Sequence, residues 1–216
     1  MVFRVVVKSN QTGENLMMQL SLFAPVSPDI EWTADDWQTP DSVASSIANL
    51  VLPTDRLILE PCAGTGQIVK FLPSDRTIAN ELNQRRYQHG LNNVPAKMWL
   101  NQNFLHDEFP CQGKYDLIIT NPPFSLCVEF IERSLKLLNK DNPDARLLFL
   151  LPLDWNCPLG RAKDWSDIEA HIYHEYRIKG RVAYLDITGT PQSRRQCSDA
   201  VFDIRPGRKN GAVTYL

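Results

Sequence analysis

Asn121-Pro122-Pro123-Phe124 sets an amide side chain, bare carbonyl oxygens and one aromatic ring into four consecutive residues of a 216-residue chain. Two successive prolines offer no backbone donors and hold the chain extended, so the tetrapeptide reads as a rigid turn rather than an immediate helix start. A turn of this kind puts hydrogen-bond acceptors beside a stacking surface, which suits a planar ring carrying an amino group. It follows Tyr115-Asp116-Leu117-Ile118-Ile119-Thr120, an apolar run that reads as a strand buried on both faces. The acceptors and the ring therefore stand where a strand stops. Taken alone, the four residues also fit a plain proline-rich turn with a core phenylalanine.

A second group lies 61 residues earlier in Glu60-Pro61-Cys62-Ala63-Gly64-Thr65-Gly66. Gly64 and Gly66 permit a tight turn and close approach of backbone to a ligand, with a helix expected to start near Gly66. The spacing is Gly-x-Gly with no third glycine, a poor match to a loop that cradles a pyrophosphate. Glu60 would repel phosphate and suits a cationic ligand instead. Glu81 ends the next expected strand, where a carboxylate can accept hydrogen bonds from ribose hydroxyls or simply stand solvated.

The elements that must position these groups alternate between strand and helix. Strands are expected at Leu57 to Leu59, Thr77 to Glu81, Lys97 to Leu100, Leu117 to Thr120 and Leu147 to Leu151, then near Val182 to Leu185 and Ala200 to Ile204. Helices are expected from about Asn83 to Leu91 and from about Leu126 to Leu138. A further one starts at Thr39-Pro40-Asp41, with Thr39 as N-cap and Pro40 at the first helical position, and runs to about Leu50. Apolar strands interleaved with helices argue a seven-stranded, mostly parallel sheet covered on both faces, an α/β doubly wound, Rossmann-like fold. In such a sheet the strand order runs 3-2-1-4-5, so the ends of the first and fourth strands are neighbours. The glycine loop and the Asn121 tetrapeptide then meet in one crevice. Residues 1–30 read as a β-hairpin appendage, with strands at Val2 to Val7 and Leu16 to Phe23, and 31–216 as the main domain.

Composition narrows the setting. A hydrophobic fraction of 43% and a charged fraction of 22% fit a globular domain and exclude a disordered chain. Five scattered cysteines with no Cys-x-x-Cys pair suit a reducing compartment, and no apolar run is long enough to span a bilayer, so the expected location is cytoplasmic. Net charge is −2, yet from Tyr176 to Leu216 eight basic residues face three aspartates, and Arg85-Arg86 adds a small cluster. A basic face of this kind can follow phosphates, with Arg194 and Arg195 as nucleic-acid contacts, or can be plain solvated surface. His171 and His174 could share a helix face with Cys157 and Cys197 nearby, but the spacing is poor for zinc and no metal is expected.

Glu60-Pro-Cys-Ala-Gly-Thr-Gly66 together with Asn121-Pro-Pro-Phe124 resembles the S-adenosylmethionine-dependent methyltransferases that act on amino groups, chiefly the N6-adenine DNA enzymes. With Thr39-Pro40 ahead of the glycine loop, the motif order is similar to the gamma class of restriction–modification enzymes, over about residues 37–205. The resemblance implies a class I methyltransferase fold and S-adenosylmethionine as cofactor. It implies that Glu60, Pro61, Cys62 and Ala63 bind the cofactor and that Gly64, Thr65 and Gly66 line its methionine moiety, with Thr39 at its carboxylate. By the same resemblance Glu81 takes the ribose hydroxyls, while Asn103 and Phe104 take the cofactor adenine. Asn121, Pro122, Pro123 and Phe124 become the catalytic residues, acting on an adenine flipped out of DNA.

Guanine-N2 and glutamine methyltransferases share variants of the tetrapeptide. An RNA methyltransferase acting on adenine N6 or guanine N2 is therefore an alternative, as is a non-catalytic cofactor-binding partner of nucleic acid. Gamma-class enzymes continue into a target-recognition domain where this chain ends, which implies a compact, weakly specific enzyme of the kind that phages and mobile elements carry.

Overall fold

The computed structural model describes residues 37–186, 189–192, 197–207 and 209. The expected N-terminal hairpin falls outside them. The strands are β1 (Ile58–Glu60), β2 (Thr77–Asn80), β3 (Met98–Leu100), β4 (Leu117–Thr120), β5 (Arg146–Pro152), β6 (Ala170–Arg177) and β7 (Asp199–Pro206). The α-helices are α1 (Asp41–Ala48), α2 (Gln84–Asn93), α3 (Cys127–Leu137) and α4 (Leu159–Asp167), with 3₁₀ turns at Val69–Phe71 and Phe124–Leu126.

All seven strands form one sheet in the order β3-β2-β1-β4-β5-β7-β6. The first five run parallel, and β7 lies antiparallel to both β5 and β6. The chain winds outward from β1 through β2 to β3, then returns to β4 and winds the other way, so β1 and β4 pair at the reversal. Every residue of β4 and β5 is buried. Successive residues feed opposite faces: Ile118 and Phe149 join one apolar cluster, while Ile119 and Leu148 join the other. The two-sided burial expected from continuous apolar strands is therefore present, and α3 covers the first face with Val128, Ile131, Ser134 and Leu137 at helical spacing.

The N-terminal edge of the sheet is a structural clamp. Arg146 donates to both oxygens of Asp55 at 2.8 and 2.9 Å and to the Leu50 carbonyl at 3.0 Å, and Arg146 and Asp55 are both 2% exposed. Asp116 accepts from Asn142, Asn139 and the Arg56 amide. Burial alone would raise the Asp116 pKa, but these donors outweigh it and hold the carboxyl below its ordinary value.

Four local expectations are corrected. Pro40, not Thr39, is the N-cap of α1, and no side-chain cap bond forms there. No α-helix follows Gly66, because Gly66 takes a positive φ of 97° and Pro73 forces the preceding Leu72 into an extended conformation. The few residues between them close only as the 3₁₀ turn. Val182 to Leu185 is not a ladder strand; Val182 and Tyr184 do turn inward, but only Leu185 makes bridges, to Gln38 and Pro191. The sheet position instead belongs to β6, whose mixed Ala-His-Ile-Tyr-His-Glu-Tyr-Arg sequence and bulge at Ile172/His174 give an edge strand without clean alternation. His171 and His174 thus lie on a strand, not on a helix face. Among the described residues no helix is long and apolar enough to cross a membrane.

Candidate functional site

The reversal of strand order opens a crevice at the C-terminal ends of β1 and β4; most of the expected residues line it, but Gly66, Pro122 and Phe124 do not. One cavity is lined by Thr39, Glu60, Gly64, Glu81 and Asn121 among others, and an adjoining one of about 580 Å³ by Asn103, Phe104, Leu82 and Leu126. Cys62, Glu81, Arg86 and Pro123 line both, so the two are halves of one cleft. The larger half lies within the size range usual for small-molecule sites, about 300–1,000 Å³.

The glycine loop forms the wall beside β1. Gly64 has φ 57° with open space where a Cβ would stand, and a Cβ on Gly66 would meet Val94 Cγ2 at 2.8 Å. Both positions therefore demand glycine, one for conformation alone and one for packing as well. Asn80, 1% exposed, binds the loop from below: its Nδ2 donates to the Pro61 and Gln102 carbonyls at 3.0 and 3.1 Å. The Ala63 N–H adds a bond to the Asn80 carbonyl at 2.8 Å.

Two carboxyl groups face the cleft. Glu60, 1% exposed, accepts from the Cys62 N–H at 3.1 Å. Burial pushes its pKa up to about 8. The neighbouring Thr120 side chain, whose Oγ1 makes no full hydrogen bond, and the Cys62 amide pull the other way, while the Glu81 charge adds to the rise. Glu81, 4% exposed, accepts the Gly64 N–H and the Asn83 N–H, each at 2.8 Å. The Arg86 guanidinium lies 4.0 Å from Glu81 Oε1. Arg86 is itself 7% exposed, which removes it from the expected surface cluster and leaves Arg85 there alone.

On the opposite wall the Asn121 amide is oriented by its surroundings. Its Nδ2 donates to the Thr39 hydroxyl at 3.2 Å and to the Trp37 carbonyl at 3.4 Å. A carbonyl can only accept, so the amide nitrogen must face Trp37 and the oxygen must face away. That Oδ1 is buried and has no hydrogen-bond partner among the described residues. Pro122 is buried, and Phe124 is half-buried, opening the 3₁₀ turn and touching both core clusters. The Tyr184 ring stands edge-on 6.5 Å from Phe124.

In the larger half Phe104 packs on Phe109 and Phe130 at 5.3 and 5.0 Å, so it is core and cavity wall together. Asn103 Oδ1 accepts from the Leu105 N–H at 3.1 Å and closes a local turn. Arg194 and Arg195 lie outside the described residues. Gln38, Asn80 and Arg86 are site residues that the sequence reading missed. A polar Asn80 at the end of a buried strand was a usable signal; nothing in sequence distinguished Gln38.

No family model matches the sequence, and no curated protein matches it. Solved structures do. A candidate RNA methyltransferase from Pyrococcus horikoshii is 11% identical with a TM-score of 0.62, covering 90% of this chain and all of that one. A TehB-like SAM-dependent methyltransferase from Corynebacterium glutamicum is 12% identical with a TM-score of 0.52, covering 76% of this chain and 87% of that one. Magnesium protoporphyrin IX methyltransferase from Synechocystis, solved with bound SAM, is 15% identical with a TM-score of 0.50, covering 76% of this chain and 77% of that one. At these identities the likeness is one of fold: the chain has the seven-stranded, mostly parallel Rossmann-like architecture of the class I methyltransferases.

Proposed function

We propose that the protein transfers a methyl group from S-adenosylmethionine to the N6 amine of an adenine flipped out of DNA. The observation that carries the proposal is the Asn121 amide, clamped by its nitrogen, its oxygen buried and without a partner among the described residues, in the same cleft as Gly64, Glu60 and Glu81.

The chain fits the cofactor on its own features. Open space beside Gly64 admits a close-lying aliphatic chain, the Glu81 carboxylate suits a cation, and the aromatic-walled larger half suits a nucleoside. In this reading the loop from Glu60 to Gly66 holds the methionine portion with Thr39 at its carboxylate. Glu81 holds the ribose, and Asn103 and Phe104 border the adenine. When bound, the cofactor supplies an electrophilic methyl on a sulfonium.

The chain's own work is on the acceptor. The lone pair of a ring amine is delocalised and poorly nucleophilic. Asn121 Oδ1 and the Pro122 carbonyl accept hydrogen bonds from its two N–H groups, favouring a tetrahedral nitrogen with a localised lone pair. As the N–C bond forms and the S–C bond breaks, these preorganised dipoles stabilise the positive charge growing on nitrogen. The amine proton then leaves to solvent, and in-line placement supplies much of the remaining rate. Phe124 stacks on the extruded base, and Arg194 and Arg195 contact phosphate. The plain structural reading, a turn with a core phenylalanine, accounts for the burial of Phe124 but not for an oriented amide with a bare acceptor.

A second reading, transfer to RNA, is favoured by one observation: the structural neighbour with the highest TM-score above is described as an RNA methyltransferase. Incubation with labelled cofactor and duplex DNA, single strands or structured RNA, followed by nucleoside analysis, separates the two. N6-methyladenine in DNA is the expected product. Label only in RNA moves the assignment to RNA, and cofactor binding without transfer to either contradicts catalysis.

A further inference from the structure

Gln38 is held from three directions at the head of the cleft. Its backbone forms an antiparallel bridge with Leu185, the two N–H groups donating across it at 3.1 and 3.0 Å. Its side-chain Nε2 donates to the Asp186 carbonyl at 3.1 Å. Its Oε1 points to the glycine loop and accepts from Gln67 Nε2 at 2.6 Å and Thr65 Oγ1 at 3.3 Å. The residues on either side, Trp37 and Thr39, are the ones that orient Asn121. One buried amide therefore joins the loop after β1 to the segment between β6 and β7.

That segment is organised around Asp186. Its Oδ1 accepts the Thr190 N–H at 3.0 Å and its Oδ2 accepts Gln192 Nε2 at 2.6 Å. The Gln192 N–H returns to the Tyr184 carbonyl at 2.8 Å. These bonds tie Tyr184, Asp186, Thr190 and Gln192 together, and Tyr184 meets Phe124 of the tetrapeptide.

We infer that Gln38 is a positioning residue that couples the segment around Asp186 to the glycine loop, so that the acceptor side of the cleft is ordered when the cofactor side is. The inference rests on the proposed reading for the identity of the two sides. A side-chain amide suits the task because donor and acceptor sit on one rigid plane: a pull on Oε1 must turn Nε2. Such coupling is shown by non-additive effects, not by position alone.

Amide hydrogen exchange at Leu185 and Gln192 tests it. Gln67→Ala removes a donor on the glycine-loop side and touches neither reporter. Loss of one buried hydrogen bond changes a local opening equilibrium about fivefold, so exchange at both reporters should accelerate by about that factor in Gln67→Ala. In a Gln38→Ala background the same substitution should change nothing. Gln38→Glu is the second variant, since it keeps the acceptor toward Gln67 and loses the donor toward Asp186; it too should abolish the response. Reporters that ignore Gln67→Ala, or respond equally with and without Gln38, overturn the inference. Added S-adenosylmethionine should slow exchange at both reporters in the wild type and not in Gln38→Glu. Persistent Gln67–Gln38 coupling with no response to the cofactor supports the coupling through Gln38 and counts against the cofactor reading alone.

Discussion

Replacing Glu60 by glutamine keeps the shape of the side chain and the acceptor for the Cys62 N–H but removes a titrating proton from the cleft. The native carboxyl has its pKa raised from 4.5 to about 8, chiefly by burial. The folded protein therefore binds a proton that the unfolded chain releases between those two values. Stability from this source is fully present below pH 4.5 and is lost as pH rises through 8. At about 1.4 kcal/mol per pH unit, the loss between pH 5 and pH 8 is about 4 kcal/mol. Denaturant unfolding of wild type and Glu60→Gln across that range reads the effect directly. The stability difference should move by about that amount in favour of the variant as pH rises. Parallel curves, differing by a constant, would show that Glu60 is already ionised and would refute the reasoning. A bound cation favours the carboxylate, so S-adenosylmethionine affinity should rise with pH up to about 8 in the wild type and lose that slope in Glu60→Gln.

Other consequences are open to simpler tests. Gly66→Ala meets both a strained φ and the Val94 side chain, whereas Gly64→Ala meets strain of about 1–3 kcal/mol alone; the thermal midpoint should fall further for Gly66→Ala, and Val94→Ala should recover part of that loss and none of the other. Asp55→Ala leaves Arg146 buried without its carboxylate and should cost about 3–5 kcal/mol in denaturant unfolding, while cofactor affinity at the far edge of the sheet is unchanged. A Cβ on Gly90 would stand 2.2 Å from the Trp99 ring, so Gly90→Ala should destabilise by about 1–3 kcal/mol or more, detected as a lower unfolding midpoint with altered tryptophan fluorescence.

Legibility followed the strength of local signals. The run from Leu117 to Thr120 is apolar on both faces, ends at two prolines, and forms β4 over those same residues. Because β1 and β4 meet where the strand order reverses, two motifs that start 61 residues apart could be placed in one crevice from sequence. β6 was illegible because it is an edge strand that mixes buried Ala170 and His171 with exposed Tyr173 and His174 across a bulge. The helix expected to start near Gly66 does not form, because a left-handed glycine and Pro73 leave it no room. Gln38 owes its importance to partners far away in sequence, Asp186 and Gln67, whereas Arg86 is a buried cation that lies beside Glu81. No periodicity reports contacts of that kind.

The most direct test of the account is methyl transfer by Asn121→Ala. Removing one preorganised donor from an oxyanion hole costs about 10²–10³ in rate, and Asn121 Oδ1 is the counterpart of such a donor, an acceptor set against a developing positive charge. The account expects a loss of at least that size in labelled-methyl incorporation into adenine, with S-adenosylmethionine affinity little changed. Incorporation close to wild type, or cofactor binding lost in step with it, would contradict Asn121 as the acceptor that activates the amine.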